Sequence, residues 1–383
     1  MPTAETAWLA TADVAAPQLP VLREPAEADV VVVGHGGAGL TAALHLAAAG
    51  VDVVAIDATG PGAGASGRNG GFLLAGLAEA HHEVVRRLGR ERAAALYRLT
   101  AEALDATEGA HPEAVRRVGS LRVSRSPEED ADCAAQLAAM RADGLPVEEY
   151  DGPEGRGLLF PHDAAFQPLV RARGLARRAL DVGARLVVGA PVLEVGPRGV
   201  RTAVGEVRAR RGVLVAVDGG LEHLVPALRG RTRSARLQML ATAPAGDVHL
   251  PRPVYARFGL DYWQQLPDGR ITIGGGRDVG GPDEWVDDVL PGTPTAGISV
   301  PVQDHLERLL RDDIGTAAPV THRWTGVVGF TPDSLPVLAE PAPGLVAVGG
   351  YSGTGNLVGP LCATWAADRL LGRANGLADL LDP

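Results

Sequence analysis

The sequence predicts a two-part α/β chain: a parallel sheet assembled from separated segments, and a second domain built on a mixed or antiparallel sheet. Three observations carry that reading. Residues 29–57, DVVVVGHGGAGLTAALHLAAAGVDVVAID, run as an apolar strand, a glycine turn, a pattern with helical spacing and a second strand. An apolar strand, a glycine loop and a helical pattern recur at residues 344–371. Between them, strand-like runs at residues 236–241, 255–266 and 270–274, with a turn at residues 267–269, have the pattern of an antiparallel sheet.

The first stretch assigns a task to each glycine. Gly34 permits a tight turn, Gly36 lets backbone approach a pyrophosphate, and Gly39 lets the helix pack closely on the sheet. Phosphates would meet the first-turn amides, Gly37 and Ala38 among them, at the positive end of the helix. Asp57 ends the second strand, where a carboxylate can accept hydrogen bonds from a ribose diol. Residues 30–49 are long enough for a membrane helix, but His35, His45 and the spaced glycines oppose that reading. These residues predict a Rossmann-like dinucleotide site and leave FAD and NAD undecided.

Composition narrows the partners. The chain has 383 residues, beyond the usual single core, and is 46% hydrophobic. Its net charge of −10 and the absence of any block of like charge argue against a nucleic-acid surface or an anionic membrane, leaving a small molecule. The N-terminus lacks the basic start and apolar core of a signal peptide, and two cysteines, Cys133 and Cys362, make no disulfide framework, so a cytoplasmic protein is expected. The ten histidines show no ligand spacing, so no metal is expected. There is no lysine, and every basic residue is arginine.

In chain order, residues 1–28 read as an extended arm lying across the body, or as partly disordered. A glycine-dense loop covers residues 59–72, and helices are expected at residues 78–88, 91–108 and 127–142, the last opened by Ser126 with Glu129 three residues on. A short strand is expected at residues 119–124, a helix at 174–182, and strands at 185–195, 199–207 and 211–217. Helices follow at residues 302–314 and 357–371. The expected division is a nucleotide domain of residues 29–80, 160–230 and 325–383, with residues 81–159 and 231–324 forming the second domain.

Within the loop at residues 64–71, Ser66, Arg68 and Asn69 supply hydroxyl, guanidinium and amide donors suited to phosphate oxygens or ring carbonyls. This loop, GASGRNGGF at residues 64–72, is one of several motifs by which the chain resembles the FAD-dependent D-amino-acid oxidase and glycine oxidase superfamily, and within it the gamma-glutamylputrescine oxidase-like group. The others are the glycine turn with Asp57, DYWQQLPDGRITIGGG at residues 261–276, WTGVVGFTPDSLPVL at residues 324–338, GGYSGTGN at residues 349–356, and AWLAT at residues 7–11. The resemblance implies a glutathione-reductase-type FAD domain and non-covalent FAD. It implies the Gly34 turn on the pyrophosphate, Asp57 on the ribose, and Ala65, Ser66, Arg68, Asn69, Gly70 and Gly71 near the phosphates and flavin. It implies further that Val192 meets the adenine through its backbone, and that Gly350, Gly353, Thr354, Gly355 and Asn356 place amides by the flavin ring. Cys362, His81 and His82 match no attachment motif. The reaction implied is removal of a hydride equivalent from the carbon bearing an amine nitrogen, giving an imine that water hydrolyses.

Two departures bear on chemistry. Val328 stands where relatives acting on alpha-amino acids carry a carboxylate-binding arginine, so the expected substrate is an amine without an alpha-carboxylate, unless Arg257, Arg270, Arg277 or Arg323 substitutes. The lysine that promotes reaction with oxygen in sarcosine oxidase relatives has its place near Thr272, and none exists here. Oxygen is nonetheless the expected acceptor, giving hydrogen peroxide. Tyr262, Trp324 and Tyr351 are the expected substrate-site aromatics, with Trp263 a weaker candidate and His322 a candidate proton acceptor. Asp261 and Asp278 are candidates to pair an ammonium group. The rivals are an alpha-amino-acid oxidase or deaminase, a flavin dehydrogenase in specialised metabolism, and a nucleotide-binding protein without turnover.

Overall fold

In a computed structural model, which describes residues 5–286 and 297–382, the valine run of the first stretch lies at the centre of a sheet. Its strand, Ala26–Val33, pairs in parallel with Val53–Ile56 on one side and Gly205–Val215 on the other, Val30 opposite Val53 and Val31 opposite Val213. Arg185–Val187 extends the parallel set beyond Val53–Ile56, and Leu345–Gly349 beyond Gly205–Val215. Val192–Gly196, Gly199–Thr202 and Val337–Ala342 add antiparallel flanks. Segments far apart in the chain thus form one sheet, because strands buried on both faces need helices on each side. Helices Gly37–Ala48 and Val358–Leu371 supply one cover, burying Leu40, Leu46, Ala363 and Ala366.

The expected strands at residues 199–207 and 211–217 are instead a hairpin arm, Gly199–Thr202, and one continuous strand, Gly205–Val215. The run 185–195 is two strands, broken where Gly189 adopts φ +72° and Pro191 lacks an N–H.

The second sheet has the spatial order Val320–Phe330, Arg233–Pro244, Arg270–Gly275, Asp261–Gln265, Val254–Ala256, Ser120–Val123, Gly155–Phe160, Glu148–Gly152. Every pairing is antiparallel except Val254–Ala256 with Ser120–Val123. The run 255–266 divides because Arg257 and Phe258, at φ 53° and 55°, turn the chain back on itself. Val320–Phe330 crosses the boundary expected between residues 324 and 325. A small third sheet, Phe72–Leu73 with Ala164–Phe166 and Val115–Arg116, was not expected, since strands this short show no alternation.

Pro127–Ala142 forms with the expected cap: Ser126 Oγ accepts the Glu129 N–H at 3.2 Å, while Glu129 reaches back to the Arg125 N–H at 2.8 Å. Pro168–Asp181 begins earlier than expected because Gln167 Oε1 caps the Leu169 and Val170 amides at 2.8 and 3.0 Å. Helix Val300–Leu309 widens into a π-turn at Leu310–Ile314. Over its described residues the arm lies against the body, one of the two expected forms, but is not extended throughout. Its short helix Ala7–Ala10 buries Trp8, and Arg173 and Arg177 bind the Val14 and Ala15 carbonyls at 2.6 and 2.7 Å. Among the described residues no helix is long and apolar enough to cross a membrane.

Candidate active site

The glycine turn is shaped by close approach. Gly34 has φ +110°, and a Cβ there would lie 2.6 Å from the Ala216 carbonyl oxygen; one on Gly39 would lie 1.9 Å from the Gly34 carbonyl oxygen. No larger residue fits either place. Gly36 has an ordinary φ of −75° and caps the helix without a side chain. A Cβ at Gly36 would meet Ser66 Oγ at 3.0 Å. The Gly37 N–H already donates to Ser66 Oγ at 2.9 Å, and Leu40 is the first residue bonded back along the helix, so Ala38 and Gly39 amides have no intrahelical acceptor.

Asp57 is more committed than a lone ribose ligand. Its Oδ1 accepts the Thr59 N–H and hydroxyl at 2.8 and 3.0 Å and the Gly60 N–H at 2.9 Å. Among the described residues its Oδ2 accepts only the His35 N–H, at 2.8 Å, and keeps capacity for a further donor.

These residues edge a groove of about 180 Å³, lined also by Val192, Ser66 and Asn356. Beside it lies a chamber of about 540 Å³, and the two share Ala65, Arg68, Asn69, Gly353 and Asn356 in their walls. The shared wall is tightly cross-tied. Asn69 Nδ2 donates to the Ala65 and Ser66 carbonyls, both at 3.1 Å, and to Asn356 Oδ1 at 3.2 Å, while Asn356 Nδ2 donates to the Phe72 carbonyl at 2.9 Å. Arg68 Nε donates to the Thr325 carbonyl at 2.6 Å. Trp8 and Trp324 donate their indole N–H groups to the Asn69 and Arg68 carbonyls at 2.8 and 2.9 Å, and Gln264 Nε2 donates to the Gly70 and Gly71 carbonyls.

Asp218, at the end of the long central strand, accepts the Gly329 and Tyr351 N–H groups, both at 3.0 Å, and joins three distant segments beside the groove. Burial pushes its carboxyl up to about 6.

Of the expected substrate-site residues Tyr262, Trp324, Tyr351, Trp263 and His322, Tyr262 alone lines the chamber. Its ring meets Phe72 edge-on at 6.0 Å and lies so close to Gly70 and Gly274 that a Cβ on either would fall within 2.9 Å of it. Tyr351 lines the groove instead, with its buried hydroxyl unpartnered among the described residues. Trp324 is 2% exposed and lines neither space; it packs with Trp8 and Met239 behind the loop. Trp263 belongs to the second sheet's core. His322 also lies away from the chamber, its Nδ1 beside the Thr321 hydroxyl at 2.8 Å, with burial lowering its pKa. Asp261 is taken up by Arg257, His305 and the Gly276 N–H, and Asp278 by Arg257.

The candidate arginines separate as clearly. Arg257 pairs with Asp261 and Asp278, Arg270 with Asp268, and Arg323 with Glu307. Arg277 lines the chamber, 4.7 and 4.5 Å above the Trp285 and Phe330 rings, and makes no ion pair among the described residues. Thr272 sits within the sheet, 1% exposed, its hydroxyl without a partner among the described residues. Among the described residues, His82, Glu83 and Asp132 have metal-ligand atoms within 4.8 Å of one another, but Glu83 pairs with Arg86 and Asp132 with Arg122.

Sequence reasoning missed Trp8, Asp218 and Gln264 as supports of the site. Trp8 and Gln264 lie inside quoted motifs, and Asp218 ends a strand pattern, but their partners are remote in sequence. It also missed the chamber residues Tyr97, Asp163 and Tyr255, which no local pattern marks.

The donor set fits FAD. Free first-turn amides and Ser66 suit a pyrophosphate, Asp57 Oδ2 a ribose, and the groove is lined by two buried groups with no hydrogen-bond partner among the described residues, the His35 ring nitrogens and the Tyr351 hydroxyl. The comparisons agree. The chain is 29% identical to "Probable oxidoreductase OrdL" of Rhizobium meliloti, over 95% of this chain and 88% of that protein. It is 27% identical to the gamma-glutamylputrescine oxidoreductase of Escherichia coli, over 92% and 86%. The fold is shared with glycine oxidase from Geobacillus kaustophilus, at a TM-score of 0.75, 21% identity and coverage of 93% and 99%, and with L-proline dehydrogenase from P. horikoshii, at 0.75, 18%, 94% and 97%. The profile of the DAO family, described as FAD dependent oxidoreductase, matches residues 29–369. With the groove, its donors and that match together, the chain belongs to the DAO family of FAD-dependent oxidoreductases.

Proposed function

We propose that the protein oxidises a primary or secondary amine to an imine, and through it to a carbonyl compound, with oxygen as acceptor. Bound FAD would supply the chemistry by accepting the hydride equivalent from the carbon bearing nitrogen. In this reading Gly34, Gly36, Gly37, Ala38 and Gly39 hold the pyrophosphate, Asp57 the ribose, and the Val192 backbone the adenine. Ala65, Ser66, Arg68, Asn69, Gly70 and Gly71 hold the phosphates and ring, and Gly350, Gly353, Thr354, Gly355 and Asn356 the far edge of the ring. Non-covalent attachment is supported by Cys362, 0% exposed in a helix core with burial raising its thiol pKa, and by His81, paired to Asp143 at 2.7 Å. Flavin remaining on the protein after acid precipitation would overturn it.

Val328 is the observation that carries the substrate class. It lines both groove and chamber, so an apolar side chain borders the reacting region where a carboxylate clamp would need charge. Phe72, Tyr262 and Phe330 extend this wall and exclude water from the reacting carbon. Arg68 lines both spaces, and its positive charge disfavours an ammonium ion beside it, holding the substrate nitrogen in the neutral form whose lone pair the reaction needs. The same charge takes the place of the absent lysine in favouring electron transfer to oxygen. Reoxidation by air far slower than turnover would point to another acceptor.

Arg277 favours a second reading, an amino acid whose carboxylate is held by this relocated guanidinium. Anaerobic flavin reduction by alkylamines and by glycine, sarcosine and D-amino acids, in the wild type and in Arg277→Gln, separates the two. The amine reading expects alkylamines to reduce the flavin in both proteins. Reduction restricted to amino acids, and weakened about tenfold or more in the variant as expected for a lost charged hydrogen bond, establishes the second reading instead.

A further inference from the structure

We infer that the chamber contains a second recognition point, formed by Asp163, Tyr97 and Tyr255, that takes a cationic, hydrogen-bond-donating group on the tail of an extended amine; the inference rests on the amine reading above. Asp163 lines the chamber at 3% exposure. It accepts the Ala75 N–H at 3.0 Å on one oxygen and the Ser120 hydroxyl at 2.6 Å on the other. A carboxylate has about four lone-pair directions, so about half its accepting capacity is left.

What sets Asp163 apart is its lack of a cation. The other acidic side chains of the chamber are matched: Glu79 by Arg87, Glu83 by Arg86, and Asp132 by Arg122 at 2.5 Å. Asp163 has no ion-pair partner among the described residues, and Arg117, which acts on it from a distance, is committed to Asp105 and Glu108, both at 2.6 Å. A buried carboxylate without a counter-charge is costly, and here burial pushes its pKa up to about 7. An incoming ammonium group supplies the missing charge and uses the remaining oxygen lone pairs.

The two tyrosines complete the point. Tyr97 and Tyr255 line the same chamber and burial keeps both phenols neutral; Arg122, whose charge is paired to Asp132, acts on Tyr255, and the charge of Asp163 acts on both tyrosines. A neutral phenol oxygen accepts from an ammonium N–H, while its hydroxyl can donate to the carboxylate. None of the three residues borders the groove, and none belongs to the loops at residues 64–71 and 349–356 assigned above to the flavin. A chamber of about 540 Å³ also lies within the roughly 300–1,000 Å³ range of pockets for drug-sized ligands.

The test measures binding without turnover, by calorimetry on holoenzyme whose flavin has been reduced beforehand without oxygen. Tetra-, penta- and hexamethylenediamine are compared with the monoamine of each length. At least one diamine should bind about tenfold or more tightly than its monoamine, the scale of a charge-assisted hydrogen bond. Asp163→Asn should abolish that preference while leaving monoamine affinity unchanged, and Tyr255→Phe should reduce it partly. Equal affinities across every pair, or a preference that survives Asp163→Asn, overturns the inference. If the preference is present but no amine reduces oxidised flavin, the recognition point stands and amine oxidation fails. If amines reduce the flavin without any tail preference, the reverse holds.

Discussion

At the scale of single residues, burial of charge has consequences that can be measured. Asp163 titrates near 3.8 in an unfolded chain and at about 7 in the fold, where Tyr97, Tyr255 and the distant Arg117 face it. The fold therefore holds the proton more tightly than the unfolded chain. Stability from this group is fully present below about pH 4, falls as pH rises to about 7, and stays lost above that. Asp218, pushed up to about 6, acts in the same direction. Asp163→Asn should thus flatten, without abolishing, the loss of stability between pH 5 and 8 in urea unfolding; an unchanged slope would refute the assignment. The residues that sequence showed plainly are those with local causes. Gly34 and Gly39 are required by backbone within six positions or by the adjoining strand, and Ser126 caps its own helix. Trp324 and His322 misled because motif membership does not say which way a side chain faces, and Asp163 was invisible because its partners, Ala75 and Ser120, are brought to it by strand pairing.

Among the elements, the arm changes most between sequence and structure. Composition left it an arm lying across the body or partly disordered; its helix Ala7–Ala10 places Trp8 against Leu169, Met239 and Trp324 and ties the indole to the loop carbonyl of Asn69. Nothing in residues 1–28 alone could show this, since the surface they bury is built from three other segments. A Cβ on Gly71 would also lie 2.8 Å from the Trp8 ring, so arm and loop have adapted to each other. Trp8→Phe should cost about 0.5–1.5 kcal/mol through the lost hydrogen bond, and Trp8→Ala about 3–5 kcal/mol through the cavity as well. Both should release FAD more readily than wild type, measured by thermal unfolding and by the rate of flavin loss to a diluted solution. Unfolding shifts with unchanged flavin retention would make the arm a stabiliser only.

For the whole molecule, the parallel sheet and the antiparallel sheet were both legible, because each is signalled by repeating apolar strands and glycine turns. Their meeting was not. The loop at residues 64–71 is clasped by residues from the arm, the second sheet and the last glycine loop, and that clasp forms the wall common to groove and chamber. A cofactor filling the groove would therefore border the chamber, where Val328, Tyr262, Arg68 and Arg277 lie. The most direct measurement is anaerobic mixing of the FAD-loaded protein with a series of primary amines, following the flavin spectrum and assaying the products. Amine oxidation predicts saturable loss of the oxidised-flavin spectrum, with one equivalent of carbonyl compound and one of ammonia formed per flavin reduced. Fully loaded protein whose flavin spectrum is unchanged by every amine, while alpha-amino acids reduce it, would contradict it.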